Sequence, residues 1–173
     1  STWYQIYNNV LLNGGLKMRE GYHRQATNNV IINNSLHPHV WYSNSNDVFK
    51  NNIVFKSYQP ALMDAAIPPQ GKWGRVLDYN FFVADEKAMR RFAANGCDSN
   101  SLYGDAFFTN PAQGDYTVMP GSPALSLGFA NFPMNRFGVL KPSLTKISKT
   151  PTFPPLLSIA SDRKDQPQVK ATW

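Results

Sequence analysis

Cysteine is nearly absent from this chain, and its scarcity excludes several classes of small protein. Cys97 is the single cysteine among 173 residues, so an internal disulfide framework and a multi-cysteine zinc site are both excluded. A lone thiol in a globular chain usually behaves as a small, buried hydrophobic group. We therefore expect Cys97 to be a structural core residue.

Long apolar runs and clustered charges are missing as well. No stretch approaches the roughly 20 apolar residues that a membrane-spanning helix needs. Charged residues make up 16% of the chain, and 17 Lys and Arg against 11 Asp and Glu leave a formal net charge of +6. That excess suits an anionic partner, such as an acidic polysaccharide, but it forms no basic helix, zinc finger or RNA-binding signature. We therefore expect no membrane span and no nucleic-acid partner.

The chain does contain a short phrase that repeats, in which two asparagines precede aliphatic or aromatic residues. It reads NNVLL, NNVII and NNIVF, with a degenerate copy YNFFV, and its second position is Asn9, Asn29, Asn52 and Asn80. The intervals of 20, 23 and 28 residues are typical of a solenoid. The residues that follow each asparagine favour strands, and the leucine ladder of a leucine-rich repeat is missing. The repeat therefore predicts stacked β-coils.

A parallel β-helix accounts for the asparagines. Its successive coils pair short parallel strands about 4.8 Å apart, and some turns need a left-handed residue, which asparagine tolerates better than any residue except glycine. Stacked asparagines can also hydrogen-bond through their side-chain amides. We predict a right-handed parallel β-helix over residues 3–83, with Asn9, Asn29 and Asn52 at equivalent turns.

The composition changes along the chain and predicts two parts. Residues 1–140 should form the coils and a C-terminal cap, and residues 141–173 an extended, proline-rich strap or linker, because each proline lacks a backbone donor. Within the first part, DEKAMRRFAANG predicts one short helix over residues 85–96, which Asp85 caps and Gly96 ends. The predicted class is all-β, with one short helix and an irregular strap.

The segment GLKMREG carries the first half of a candidate site. Side chains alternate between the two faces of a strand, so Leu16 and Met18 should face the core while Lys17 and Arg19 face solvent.

The segment LHPHVWYS carries the second half. The same alternation places Val40 and Tyr42 inward and His39 and Trp41 outward, with His37 on the outward side. The alternative is that Trp41 belongs to the core and the histidines are ordinary surface residues.

The two segments lie at nearly the same distance before a repeated asparagine. Lys17 and Arg19 lie 12 and 10 residues before Asn29, and His39 and Trp41 lie 13 and 11 residues before Asn52. We therefore expect stacked strands whose outward side chains form one patch. Tryptophan offers a flat face for a pyranose ring, arginine a fork for a carboxylate, and histidine a donor or acceptor near neutral pH. The patch predicts a sugar-binding groove made of Lys17, Arg19, His37, His39 and Trp41.

If the groove also cleaves the sugar that it binds, hydrolysis generally needs two carboxyl groups, and the candidates nearest the patch are Glu20 and Asp47. Glu20 follows Arg19, whose charge favours the ionised carboxylate. Asp47 precedes the next strand, where the alternative is a turn residue bonded to its own backbone. Asp64 and Asp78 are weaker candidates. The His-x-His spacing permits a metal, but no acidic ligand sits at a suitable spacing, so we predict neither a metal nor a cofactor.

Two stretches carry a family resemblance: GLKMREGYHRQATNNVIINNSLHPHVWYSNSNDVFKNNIV and GDAFFTNPAQGDYTVMPGSPALSLGF. They resemble the C-terminal coils of secreted bacterial right-handed parallel β-helix proteins similar to glycoside hydrolase family 141, many of which carry a PDZ domain. The resemblance covers roughly residues 3–157. It implies part of an enzyme that cleaves a plant or algal polysaccharide, a secreted, periplasmic or cell-surface location, and the remainder of a longer β-helix as partner.

Two other functions are compatible with the same residues. A polysaccharide lyase would use Lys17 or Arg19 to remove the proton alpha to a uronate carboxyl group, often with calcium, although the aspartate cluster of a calcium site is not evident. A non-catalytic β-helix segment would bind a glycan without cleaving it, or serve as structure only.

Overall fold

The computed structural model describes residues 2–42, 44–61, 71–136, 139 and 141–147. The strands are short, from two to four residues. In chain order they are β1 (Gln5–Tyr7), β2 (Val10–Leu11), β3 (Leu16–Arg19), β4 (Gln25–Thr27), β5 (Val30–Ile31), β6 (Leu36–His39), β7 (Val48–Lys50), β8 (Ile53–Val54), β9 (Val76–Asp78), β10 (Phe81–Phe82), β11 (Leu102–Tyr103), β12 (Phe108–Asn110) and β13 (Asp115–Val118). The helices are α1 (Glu86–Arg90), α2 (Pro123–Ser126) and α3 (Pro142–Thr145), with 3-10 turns at Ala93–Asn95 and Pro111–Gln113.

The first eleven strands form three parallel sheets that run along the solenoid. Sheet A has the order β1-β4-β7-β9, sheet B the order β11-β10-β8-β5-β2, and sheet C is the pair β3-β6. Every neighbour within these sheets comes from an adjacent coil and pairs in parallel. The predicted parallel β-helix is confirmed.

The second asparagine of each repeat forms a ladder along the inside of the coils. The Asn9 side-chain Nδ2 donates to Asn29 Oδ1 at 2.9 Å, Asn29 Nδ2 to Asn52 Oδ1 at 3.0 Å, and Asn52 Nδ2 to Asn80 Oδ1 at 3.1 Å. Each of these acceptor oxygens also receives the backbone N–H of the asparagine above it. The predicted stacking is confirmed, and we call these four residues the ladder asparagines.

The first residue of each repeat takes the left-handed conformation. Asn8, Asn28, Asn51 and Tyr79 have φ values of 56°, 58°, 56° and 58°. The two asparagines of each repeat therefore have different roles. The first turns the backbone, and the second joins neighbouring coils through hydrogen bonds. At Tyr79 the left-handed backbone is sterically less favourable than at the asparagines.

The left-handed asparagines also hold the segment that follows α2 against the solenoid. Asn28 Nδ2 donates to the carbonyl of Ala130 at 2.9 Å, and the Ala130 N–H returns a bond to Asn28 Oδ1 at 2.7 Å. Asn51 Nδ2 donates to the carbonyl of Leu127. One row of left-handed asparagines thus ties a segment distant in sequence to the coils.

The three central strands of sheet B, β5, β8 and β10, are buried on both faces, which explains why they are continuous apolar runs rather than alternating ones. The inward side chains join the core inside the coils, and the outward ones join a second core against β13 and α2. The inward set includes Ile31, Val54 and Phe82, and the outward set Val30, Ile53 and Phe81, all at most 1% exposed.

A helical segment covers one end of the core. Asp85 Oδ1 accepts from the Ala88 N–H at 2.7 Å and caps α1, and Gly96, with φ 70°, ends the 3-10 turn that follows. The predicted helix therefore begins as expected but is divided into one α-helical and one 3-10 turn. Met89 and Cys97 are buried beneath it, which confirms Cys97 as a core residue.

Of the predicted tail, the structure describes residues 141–147, where α3 is a single exposed turn. The prediction for residues 148–173 lies outside the described residues.

Candidate functional site

Sheet C brings the basic segment and the histidine segment side by side, as predicted. Lys17 pairs with His37 and Arg19 with His39 in register, and the intervening Met18 pairs with Pro38 on the buried face. Lys17 and Arg19 are exposed, and the two histidines are half-buried. Four of the five predicted binding residues thus share one solvent-facing surface, which we call the basic face: Lys17, Arg19, His37 and His39.

The His37 imidazole lies directly against the backbone of the neighbouring coil. A Cβ atom at Gly15 would approach His37 Cδ2 and Nε2 to 2.5 Å, and Asn34 Oδ1 to 2.8 Å. His37 Nε2 is also hydrogen-bonded to Asn34 Oδ1. Asn34 Nδ2 in turn donates to the carbonyl of Asn13 at 3.1 Å. Glycine at position 15 is therefore what allows the ring to rest on the coil, and the contact fixes the ring's position.

Trp41 does not belong to the basic face, and its predicted exposure is wrong. It is 2% exposed and packs in the inner core, where its Nε1 donates to Ser45 Oγ at 2.9 Å. The cause is Val40, whose left-handed backbone, with φ 44°, follows directly after β6. A corner of this kind ends the alternation of faces on which the prediction depended, so Trp41 turns inward.

Tyr42 takes the outward place instead and pairs with an aromatic residue of the coil before. The Tyr22 and Tyr42 rings lie 5.5 Å apart at 21°, a stacked pair. Trp3 and His23 form a second stack, 4.2 Å apart at 8°. Trp3 is 75% exposed and Tyr22 37%. Both stacks bring aromatic rings to the surface next to the coil corners that follow sheet C.

Sequence reasoning missed these aromatic stacks, although a signal for them exists. Tyr22 and Tyr42 are 20 residues apart, and so are Trp3 and His23, which is the interval between Asn9 and Asn29. Residues separated by one repeat interval occupy the same position in successive coils. A search for aromatic pairs at that interval would have found both.

Asp47 is not at the edge of a groove, and that prediction is wrong. Its carboxylate is fully buried and bound to Arg24: Arg24 Nη2 donates to Oδ2 at 2.6 Å, and Arg24 Nε and the Arg24 backbone N–H donate to Oδ1 at 3.2 and 2.9 Å. Arg24 Nη1 also donates to the carbonyl of Arg19 at 2.8 Å. This ion pair joins two coils beneath the corner after β3, so the Asp47 carboxylate is not accessible to a ligand.

Glu20 is accessible, as the predicted role requires. It follows β3 at a left-handed corner, with φ 35°, and its side chain is 53% exposed. Its Oε1 lies 3.6 Å from Arg19 Nη2, and the Arg19 side chain is 56% exposed. An ion pair this open to solvent is weak, so both groups can exchange their partner for a ligand.

The weaker carboxylate candidates do not add to this surface. Both oxygens of Asp78 are bonded, Oδ1 to the backbone N–H groups of Tyr79 and Asn100 at 2.8 Å each, and Oδ2 to Asn100 Nδ2 at 2.7 Å. Asp78 thus stabilises a turn. Asp64 lies outside the described residues.

Three buried groups at the helical end of the solenoid have a raised pKa, and burial also raises the pKa of Tyr116 in β13. Burial raises the pKa of Asp98 to about 6, against hydrogen bonds from Ser101, Tyr58 and Asn80 that lower it. Burial likewise raises the pKa of the Cys97 thiol and of the Tyr58 hydroxyl, and the negative charge of Asp98 adds to both shifts. This network is buried in the core.

Within the described ranges, no group of three or more His, Cys, Asp or Glu side chains is placed to bind a metal ion. None of the helices described there is long and apolar enough to cross a membrane.

Comparisons of the chain with protein-family models, curated proteins and solved structures give no match. The resemblance to glycoside hydrolase family 141 therefore stays a prediction.

Proposed function

We propose that this chain binds an acidic oligo- or polysaccharide on the basic face of its β-helix. The observation that carries the proposal is the register of sheet C, which places the cations of Lys17 and Arg19 beside the imidazoles of His37 and His39 on one exposed surface. The guanidinium of Arg19 matches a uronate carboxylate. The imidazoles add donors or acceptors for hydroxyl groups.

The aromatic stacks supply the second element that sugar binding needs. Tyr22 and Tyr42 follow the two strands of sheet C within three residues, and their stacked rings are partly exposed. Such rings offer an apolar face with a polar edge, as a pyranose ring requires. These rings take the sugar-stacking role that was predicted for Trp41. A glycan partner also fits the secreted or bacterial cell-surface location that we propose with it.

Calorimetric titration with acidic and neutral oligosaccharides tests the proposal. The wild-type chain should bind oligogalacturonate more tightly than an uncharged xylan oligosaccharide. Arg19→Ala should weaken that binding about tenfold, because a hydrogen bond to a charged group is lost. Lys50→Ala is the matched control, since Lys50 is an exposed cation on sheet A. Equal loss in the two variants would show nonspecific charge attraction, and no binding to either glycan would refute the proposal.

Cleavage of the bound glycan is our second proposal, and the exposure of Glu20 beside Arg19 supports it. Glu20 would act as general acid or base, and Glu20→Gln should then lower turnover about 10²–10⁴-fold. Asp47 cannot be the second carboxyl group because Arg24 occupies it. An ultraviolet-absorbing unsaturated product would instead assign a polysaccharide lyase, with Lys17 or Arg19 as the base. Binding without turnover would leave a non-catalytic glycan-binding segment.

We also propose further coils of a longer β-helix as the partner of the edge formed by β1, β2 and β3. These strands end their sheets within the described part of the chain. Ile6 and Leu11 are half-buried there, whereas Ala26 and Ile31, their partners in the next coil, are fully buried. A coil stacked on this edge would complete the burial, and in a hydrolase it could supply the second carboxyl group.

A further inference from the structure

The corner between β2 and β3 contains an exposed Asn-Gly pair. Asn13 and Gly14 are both exposed, and a Cβ atom at Gly14 would meet no atom within 4 Å. The Gly14 N–H donates no hydrogen bond to any residue that the structure describes. A backbone nitrogen that is neither crowded nor hydrogen-bonded is available to react with the neighbouring side-chain amide.

We propose that Asn13–Gly14 is a site of spontaneous deamidation that places a new carboxylate next to the basic face. In this reaction the Gly14 nitrogen attacks Asn13 Cγ and forms a C–N bond. The Cγ–Nδ2 bond breaks, and the amide leaves as ammonia with the proton that Gly14 gives up. Water then opens the cyclic imide at either carbonyl, which leaves an aspartate or an isoaspartate at position 13. No oxidant or cofactor is needed.

The chain holds two internal references for this site. Asn33 lies one coil below and donates to Asn13 Oδ1 at 2.8 Å, but the next residue is Asn34, and a residue with a side chain at that position reacts more slowly than glycine. The second Asn-Gly pair is Asn95–Gly96. Asn95 is 3% exposed and its Nδ2 donates to the carbonyl of Gly71 at 3.2 Å, while the Gly96 N–H donates to Ala93 at 2.9 Å. Folding therefore protects that pair and leaves Asn13–Gly14 open.

Deamidation at this corner would affect the basic face, because Asn13 is connected to His37. The Asn13 carbonyl accepts a bond from Asn34, whose Oδ1 is bonded to His37. The His37 ring also rests on Gly15, two residues after Asn13. An isoaspartate would lengthen the backbone at this point, and either product would add a negative charge. The consequence for glycan binding rests on the proposed function: affinity for an acidic glycan should fall as the site converts.

Peptide mapping by mass spectrometry of the folded chain, held in mildly alkaline buffer, tests the site directly. Asn13 should convert to the acid, and isoaspartyl methyltransferase should label the peptide that contains it, while Asn33 and Asn95 keep their amides. In denaturant, Asn95 should convert as well. Gly14→Ala, which the open space around Gly14 accommodates, should slow conversion at Asn13 several-fold. The same rate in this variant, or an intact Asn13 amide under conditions that convert Asn95 in denaturant, would overturn the proposal.

Glycan binding is measured separately, on converted and unconverted fractions resolved by ion exchange. Weaker binding of oligogalacturonate by the converted fraction supports the link to the basic face, and equal binding refutes that link. If neither fraction binds any glycan while Asn13 still converts, the proposed function fails and the modification site stands.

Discussion

The asparagine ladder ends differently at the two ends of the solenoid. At the end formed by β1, β2 and β3, Asn9 donates to the ladder, but its Oδ1 accepts no hydrogen bond from a described residue. At the other end, the Asn80 N–H donates to Ser101 Oγ, and Asn80 Nδ2 reaches Phe49, Tyr58 and Asp98. We call the end formed by β1, β2 and β3 the open end, and the end at Asn80 the capped end.

The difference shows that the ladder has a direction. The Oδ1 atoms of Asn29, Asn52 and Asn80 each accept two hydrogen bonds from the asparagine of the coil before. The Oδ1 of Asn9 therefore has no donor among the described residues, and the N–H groups of Asn80 need acceptors outside the repeat. The capped end meets that need with a serine, a tyrosine and a buried carboxylate, none of which the repeat contains. Interior rungs depend on repetition, whereas each end depends on groups specific to it. The following predictions test this contrast.

The largest effect should come from breaking the buried ion pair that joins two interior coils. Arg24→Ala should reduce the free energy of unfolding by about 3–5 kcal/mol, because it leaves Asp47 buried without its charge partner. Chemical denaturation followed by circular dichroism measures this. The matched control is Glu20→Gln, which removes the exposed pair with Arg19 and should cost less than about 1 kcal/mol. Similar losses in the two variants would contradict the burial of Asp47.

The ladder itself should be stronger in its interior than at its open end. Asn52→Ala should cost about 2–4 kcal/mol, because it removes four hydrogen bonds to neighbouring coils and leaves the buried Asn29 N–H without its acceptor. Asn9→Ala should cost less than about 1 kcal/mol, since the Asn9 side chain accepts no hydrogen bond from a described residue and Asn9 is only half-buried. Equal destabilisation in the two variants would show that the open end is as well packed as the interior.

The capped end should make stability depend on pH. The pKa of Asp98 is raised by burial from 3.8 to about 6 in the folded chain, so the folded state binds the proton more tightly than the unfolded state. The stabilisation is complete below about pH 4 and is lost as pH rises through 6, up to about 3 kcal/mol. Asp98→Asn should remove this contribution, as thermal melts between pH 4 and 7 would reveal. A variant that keeps the wild-type slope would exclude Asp98 as its source.

The smallest effect should appear in local opening at the two ends. Hydrogen exchange should be faster for amides of β2 at the open end than for those of β8 in the interior, since an edge strand opens without disturbing a neighbour. Exchange in β11, which ends sheet B at the capped end, should lie between them, because α1 packs against it. Equal protection of β2 and β8 would show that the first coil is as stable as the interior.

Much of the fold was predictable from local and periodic features of the sequence. The repeat interval and the strand-forming residues behind each asparagine indicated parallel coils, because stacked coils need the same residue types at the same positions. Counting back to Asn29 and Asn52 identified β3 and β6 as neighbouring strands, but it placed Lys17 near His39, whereas the observed register pairs Lys17 with His37 and Arg19 with His39. The start of α1 was readable at Asp85, since an N-cap acts within its own first turn. These features required no knowledge of distant contacts.

Two parts of the candidate site were decided only by tertiary structure. Val40 is a β-branched residue that gives no sign of a left-handed corner, and it adopts one at the coil position that Glu20 occupies before it. That corner sends Trp41 into the core and Tyr42 to the surface. Asp47 reads as an ordinary turn residue, but Arg24, 23 residues earlier, meets it across adjacent coils and takes its carboxylate. The sequence by itself determined which residues repeat. Only the stacked coils decided which side chains reach solvent, because the orientation of Trp41 and the pairing of Asp47 with Arg24 both depend on contacts between neighbouring coils.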